Sequence, residues 1–171
     1  MAGVPAHIVK LLDRLHAESL EQESNITRSD YKDPQLMRDK FIALDQDKAQ
    51  YIYALCRATG ARTIVEAGTS FGVSTIYLAL AAAANAAAGG KPARVIATEH
   101  EPTKAARARE NWNECGKGVA DVVDLREGDL RETLKANLED VDLLLLDSES
   151  SPLFCHSIYS VVPYKPCLEM C

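Results

Sequence analysis

Thr63-Ile64-Val65-Glu66-Ala67-Gly68-Thr69-Ser70-Phe71-Gly72-Val73-Ser74-Thr75 is the stretch on which the reading of this chain turns. A short apolar run ends in an acid, passes through two glycines and enters an apolar segment. That is the pattern of a buried strand, a tight turn and a helix. About one repeat later, Arg94-Val95-Ile96-Ala97-Thr98 reads as a second buried strand, and it too ends in an acid, Glu99. Two acidic strand ends beside a glycine turn suit a ligand with ribose hydroxyls and a cationic centre.

The alternation continues in both directions. Downstream of the turn, 73–84 reads as a helix, 103–113 as a helix with Pro102 in its first turn, and 122–126 as a third strand. A helix over 130–137 is opened by Asp129, with Glu132 in capping-box position, and 141–146 is a fourth strand, apolar on both faces. Strands alternating with helices define an α/β fold with a parallel sheet flanked by helices. The alanine-rich stretch 79–88 reads as the end of one helix and a loop.

Upstream of the turn the spacing is helical. Val4, Ile8, Leu11, Leu12 and Leu15 form an amphipathic stripe, and Leu36, Met37, Phe41, Ile42 and Leu44 a second, shorter apolar face. Asp45 opens a third helix through Ala49, Ile52, Tyr53, Leu55 and Cys56, stopped by Gly60. The expected organisation is a single domain: an N-terminal helical cap over 1–60, an α/β core over 61–150 and an irregular tail over 151–171.

A chain of 171 residues, 47% hydrophobic and 26% charged, matches a soluble globular domain. Its net charge of -6 weighs against nucleic acid and anionic membranes as partners and favours small-molecule chemistry. Its apolar runs fall well short of the roughly 18 residues of a membrane span, and the N-terminus lacks a signal-peptide layout, so a cytoplasmic location is expected. Five cysteines without a C-x-x-C pair read as reduced thiols.

The glycine turn behind Glu66, the strand end at Glu99, Gly128-Asp129 and the strand end at Asp147 fall in one order across roughly residues 36–150. This ordered set resembles the class I S-adenosylmethionine-dependent O-methyltransferases, the group that includes catechol and caffeoyl-CoA methyltransferases. The resemblance implies a Rossmann-like methyltransferase fold, S-adenosyl-L-methionine as cofactor and methyl transfer to a small-molecule hydroxyl. By the same resemblance Gly68 and Gly72 let the backbone approach the cofactor, Thr69 and Ser70 reach its methionine carboxylate, and Ser74 belongs to the same binding turn. Glu66 then faces the methionine amino group directly or through water, and Glu99 accepts the ribose hydroxyls. Asp129 either meets the adenine amine or simply caps the next helix.

Asp147 is the expected active-site carboxylate, beneath the methyl group in flight. Metal-dependent relatives use this aspartate together with a downstream Asp-Asn pair, and 148–171 contain neither residue type, so no metal is expected. His100 is a candidate base by position, with an exposed loop histidine as the plainer reading, and Trp112 is expected to pack.

The chain departs from the family after Asp147. A complete fold of that group has seven strands, whereas Ser148 to Cys171, with Pro152, Pro163 and Pro166, leaves no room for the remainder. The last strands are therefore expected to be missing or altered, with possible loss of activity, and the fourth strand to be an apolar edge that favours aggregation or partnering, including a homodimer. Two alternatives stand beside the enzyme. One is a non-catalytic cofactor-binding or interaction protein retaining the first half of the fold. The other is a nicotinamide-dependent oxidoreductase, weakened because Gly68-x-x-x-Gly72 lacks G-x-G-x-x-G spacing.

Overall fold

The computed structural model describes residues 1, 3–30, 33–90 and 92–147. Expectations about the 151–171 tail lie outside the described residues. Four strands, β1 (Thr63–Ala67), β2 (Arg94–Glu99), β3 (Val123–Glu127) and β4 (Leu143–Leu146), form one parallel sheet in the order β3-β2-β1-β4. Residues 64–67 and 95–98 are buried throughout: one face of the inner strands packs against the long helices, and on the other Val65 and Ile96 are covered by Leu134, Leu138 and Val141. The chain steps outward from β1 to β3 and then returns across the sheet to β4. That reversal makes the C-terminal ends of β1 and β4 a topological switch point, the place where open α/β sheets form a crevice for ligands.

Helix α1 (Ala6–Ser24) buries Ile8, Leu11, Leu12 and Leu15, the stripe expected from the sequence. The 36–44 segment is not a second amphipathic helix: after the single turn α2 (Pro34–Met37) the chain runs without regular structure, with Phe41 and Leu44 buried. Its backbone is held by α1, since Phe41 N–H donates to Gln22 Oε1 at 3.1 Å and Ala43 N–H to the buried Ser19 Oγ at 2.8 Å. Docking on side-chain acceptors replaces the helical hydrogen bonds that four residues alone cannot propagate.

Helix α3 (Gln46–Thr59) ends at Gly60, which takes the left-handed conformation at φ +71°. Asp45 precedes it without a capping bond, its carboxylate being paired with Lys48. Helix α4 (Val73–Gly89) runs through the whole alanine stretch, so no loop begins there. Ala79, Ala81 and Ala82 have no exposed surface, and buried Asn85 donates through Nδ2 to the carbonyls of Cys56 and Ala61, both at 2.8 Å. The small side chains let α3 lie close, and the single amide ties α4 to the end of α3 and to the residue that follows its Gly60 cap.

Helix α5 (Pro102–Cys115) is followed by the short α6 (Lys117–Ala120). The helix expected over 130–137 is one turn only, α7 (Leu130–Thr133), because its capping box does not close: Glu132 binds Lys135 at 2.7 Å instead of reaching back. Arg126 then captures the carbonyls of Thr133 and Ala136 at 2.7 and 2.8 Å, drawing the chain off the helical path. Among the described residues no helix is long and apolar enough to cross a membrane.

The Asn85→Ala variant should lose about 1–2 kcal/mol of stability, because it removes the amide donor to Ala61 O, whereas Cys56 O keeps the Ala61 N–H at 3.1 Å. Urea denaturation followed by circular dichroism reads the shift in midpoint.

Candidate functional site

Beyond β1 the backbone turns sharply, with Gly68 at φ +96°, Ser70 at +50° and Gly72 at +77°. Strand β2 holds the first half of the turn. Thr69 N–H donates to Thr98 O at 3.0 Å, Gly68 N–H to Thr98 Oγ1 at 3.3 Å, and the Thr98 hydroxyl to Glu66 O at 3.1 Å. Helix α5 holds the second half: Asn111 Nδ2 donates to Phe71 O at 2.9 Å and Trp112 Nε1 to Gly72 O at 3.0 Å. A Cβ on Gly72 would lie 2.5 Å from Trp112 Nε1, so the space this glycine leaves is filled by the indole. Trp112 is thus a packing residue that also braces the turn.

Glu66 lies beneath the turn with no exposed surface. Its Oε1 accepts from Ser74 Oγ at 2.6 Å, and its Oε2 from Thr69 Oγ1 at 3.0 Å and Thr75 Oγ1 at 2.5 Å. Burial raises its pKa to about 7 despite these three donors, and the negative charge of Asp147 adds to the rise. Asp147 reaches this end of the sheet because its N–H pairs with Ala67 O at 2.9 Å, extending the β1–β4 ladder by one residue.

Glu99, at the tip of β2, closes the turn from the other side. Its Oε2 accepts from Ser70 N–H at 2.7 Å, and its Oε1 from the N–H groups of His100 and Glu101, both at 2.8 Å. Among the described residues one lone pair on Oε2 stays open, so binding both hydroxyls of a ribose requires one backbone donor to move. Ser70 Oγ is buried with no hydrogen-bond partner among the described residues, a group whose desolvation a ligand's polar atom would offset.

The structure thus gathers Glu66, Gly68, Thr69, Ser70, Gly72, Ser74, Glu99 and Asp147 at the C-terminal ends of β1, β2 and β4. Asp129 stands apart. It caps α7 by accepting from Arg131 N–H at 2.8 Å, and the Arg131 guanidinium clasps the same carboxylate at 2.5 Å. These hydrogen bonds lower its pKa to about 2. Gly128 N–H, bonded to Glu99 O at 2.8 Å, links this turn to the tip of β2.

His100 is exposed, and the Arg107 and Arg109 side chains pair with Glu110 and Glu127 on an exposed face. Among the described residues, no three of His, Cys, Asp and Glu are grouped so as to hold a metal ion. Thr75, Thr98 and Asn111 belong to the site's framework although the sequence reading did not single them out. For Thr75 the signal was present, as a second hydroxyl in the first turn after Gly72.

A parallel sheet with this order, an acid-tipped β1 and β2, and a glycine turn into a long helix define a Rossmann-like methyltransferase fold. A family profile described as methyltransferase domain matches residues 65–162, more than half of the chain, and the chain belongs to that family. It is 36% identical over 93 residues to a catechol O-methyltransferase of Mycobacterium tuberculosis, covering 54% of this chain and 38% of the relative. A catechol O-methyltransferase of Niastella koreensis is 27% identical over 115 residues, covering 65% and 48%. The chain therefore spans less than half the length of these relatives.

Among solved structures, a cofactor-bound Mycobacterium tuberculosis protein superposes with a TM-score of 0.59 at 29% identity, over 81% of this chain and 53% of that one. The O-methyltransferase TomG from Streptomyces achromogenes, in complex with S-adenosylmethionine, shares the fold with a TM-score of 0.57 at 23% identity, over 81% and 53%. Neither the nicotinamide-dependent nor the non-catalytic reading is favoured by these likenesses.

Two outcomes follow from the geometry. Gly72→Ala should cost upward of about 2 kcal/mol, from positive φ and collision with Trp112 together, measured as a drop in urea midpoint. For Glu66 the sign is set by its raised pKa. The folded state holds the proton more tightly than the unfolded chain, so the contribution is complete below the ordinary carboxylate value of 4.5 and is lost as pH rises through about 7. Its full size is on the order of 3 kcal/mol. Thermal denaturation should therefore show the wild type losing stability relative to Glu66→Gln as pH rises from about 5 to about 8.

Proposed function

We propose that this chain binds S-adenosylmethionine at the crevice between β1 and β4 and supports methyl transfer to a small-molecule hydroxyl. The observation that carries the reading is the glycine turn, locked from below by Glu66 and from the side by Glu99, at the topological switch point of a methyltransferase-family sheet. The residues present fit such a ligand. Three turn positions at positive φ expose backbone to it, Ser70 Oγ awaits a partner, and Glu99 retains an acceptor toward the ribose side. The first turn of α4, which has no side-chain cap among the described residues, adds N–H groups for a carboxylate.

When bound, the sulfonium supplies an electrophilic methyl carbon, so the protein's part is orientation and removal of the acceptor's proton. Gly68, Thr69, Ser70, Gly72 and Ser74 hold the methionyl end. Glu99 orients the ribose, and Asp129 lies at the adenine side, held by Arg131 until a ligand competes for it. Asp147, at the end of β4, is the carboxylate nearest the path of the methyl group. The catechol O-methyltransferase relatives support a phenolic acceptor.

Calorimetric titration of the folded chain with S-adenosylmethionine tests the reading. Saturable binding is expected, weakened by about 1–3 kcal/mol in Glu99→Ala. A folded wild type that shows no heat of binding at millimolar ligand overturns it. Methyl release on a panel of catechols and phenols then separates an enzyme from a cofactor-binding protein without turnover.

A further inference from the structure

The hydroxyl cage around Glu66 has a consequence for what it offers a ligand. Thr69, Ser74 and Thr75 each own a single hydroxyl proton. With Glu66 ionised, all three protons point inward to its carboxylate, and these side chains present only lone pairs to the crevice. An anionic ligand group needs donors there.

The cage is asymmetric. Among the described residues Oε2 accepts from two hydroxyls, whereas Oε1 accepts from Ser74 alone. A proton placed on Oε1 therefore reverses one bond only: Glu66 donates to Ser74 Oγ, and the Ser74 hydroxyl proton becomes available elsewhere. Ser74 is also the least enclosed of the three, at 7% exposed against 2% for Thr69 and 0% for Thr75. It sits in the first turn of α4, where the helix N-terminus already favours negative charge.

Resting on the S-adenosylmethionine reading above, we propose that Glu66 takes up a proton when the amino-acid end of the ligand enters the turn, freeing Ser74 to donate to the ligand carboxylate. Glu66 is in this sense a positioning residue: it acts through Ser74. The surroundings allow it. Strand β2 sets Ala97 beside Glu66 and bonds its backbone through Thr98, and β4 sets Leu145 beside it with Asp147 at the strand end. Helix α4 contributes Ser74 and Thr75, and the turn Thr69. Among the described residues Asp147 is the charged group that bears on Glu66 from these elements, and it favours the protonated form. A ligand carboxylate held at Ser74 acts in the same sense and the ligand ammonium against it, so proton uptake requires the carboxylate, and not the ammonium, to be the group that lies nearer Glu66. The proton comes from solvent, and no covalent bond other than that O–H is made.

The test is calorimetry with S-adenosylhomocysteine near pH ~7.5 in two buffers of different ionisation enthalpy, which counts protons exchanged on binding. The wild type should take up on the order of half a proton or more per site. Glu66→Gln, whose amide mimics the protonated acid, should bind within about tenfold of wild-type affinity and take up measurably less. On the wild type alone, a decarboxylated analogue of the ligand should bind without that uptake. Wild-type binding with no proton uptake, equal uptake by Glu66→Gln, or equal uptake with the decarboxylated analogue overturns the proposal while leaving the cofactor site standing. Absence of any binding by the folded wild type overturns the cofactor site and the proposal together.

Discussion

Glu66 lies on an inner strand of the sheet with no exposed surface, and a carboxylate so placed must be met by donors or by a proton. The donors come from two later elements, Thr69 in the turn and Ser74 and Thr75 in the first turn of α4. One side chain thereby joins β1, the turn and α4. The turn's left-handed residues are unfavourable for an isolated peptide, and Ser70 in particular has a side chain that disfavours positive φ. Their conformation persists because bonds to both ends over-determine it.

A second layer of support comes from outside the strand-turn-helix unit. Thr98 and Glu99 of β2 take the donors of Gly68, Thr69 and Ser70, while Asn111 and Trp112 of α5 take the carbonyls of Phe71 and Gly72. The turn is thus held by its neighbours from both sides before any ligand arrives, which limits the ordering cost of binding. Behind it, α1 is fastened to α4 by the buried His16 and Tyr77 pair, bonded at 3.0 Å. Burial lowers the histidine pKa and raises the tyrosine to about 12, so packing favours the neutral form of both partners. The helical cap and the α/β core share one hydrophobic cluster, with Leu12 and Leu15 of α1 in it beside Ile76 and Leu78 of α4.

Much of this was legible in residue order. Period and composition are local properties, so the strands from Thr63 and Arg94, a fourth read as 141–146 and found as Leu143–Leu146, the long helix after Gly72 and the acids at the strand tips could be read directly. Readings failed where a distant partner decided the outcome. The alanine run remained helical because α3 packs against it and Asn85 bonds the carbonyls of Cys56 and Ala61. The 36–44 segment lost its helix to acceptors on α1, and the helix after Asp129 stopped when Arg126 took its carbonyls.

The sequence by itself determined the α/β alternation, the glycine turn and the set of carboxylates at the strand ends, because hydrophobic period and turn chemistry act within a few residues. Only the tertiary structure decided what those carboxylates do. Glu66 meets hydroxyls rather than solvent, Glu99 grips the turn's own backbone, and Asp129 is held by Arg131. The space at Gly72 goes to Trp112, forty residues away along the chain. A carboxylate's role depends on which donors reach it and how far water is excluded, and both are set by packing between segments remote in sequence.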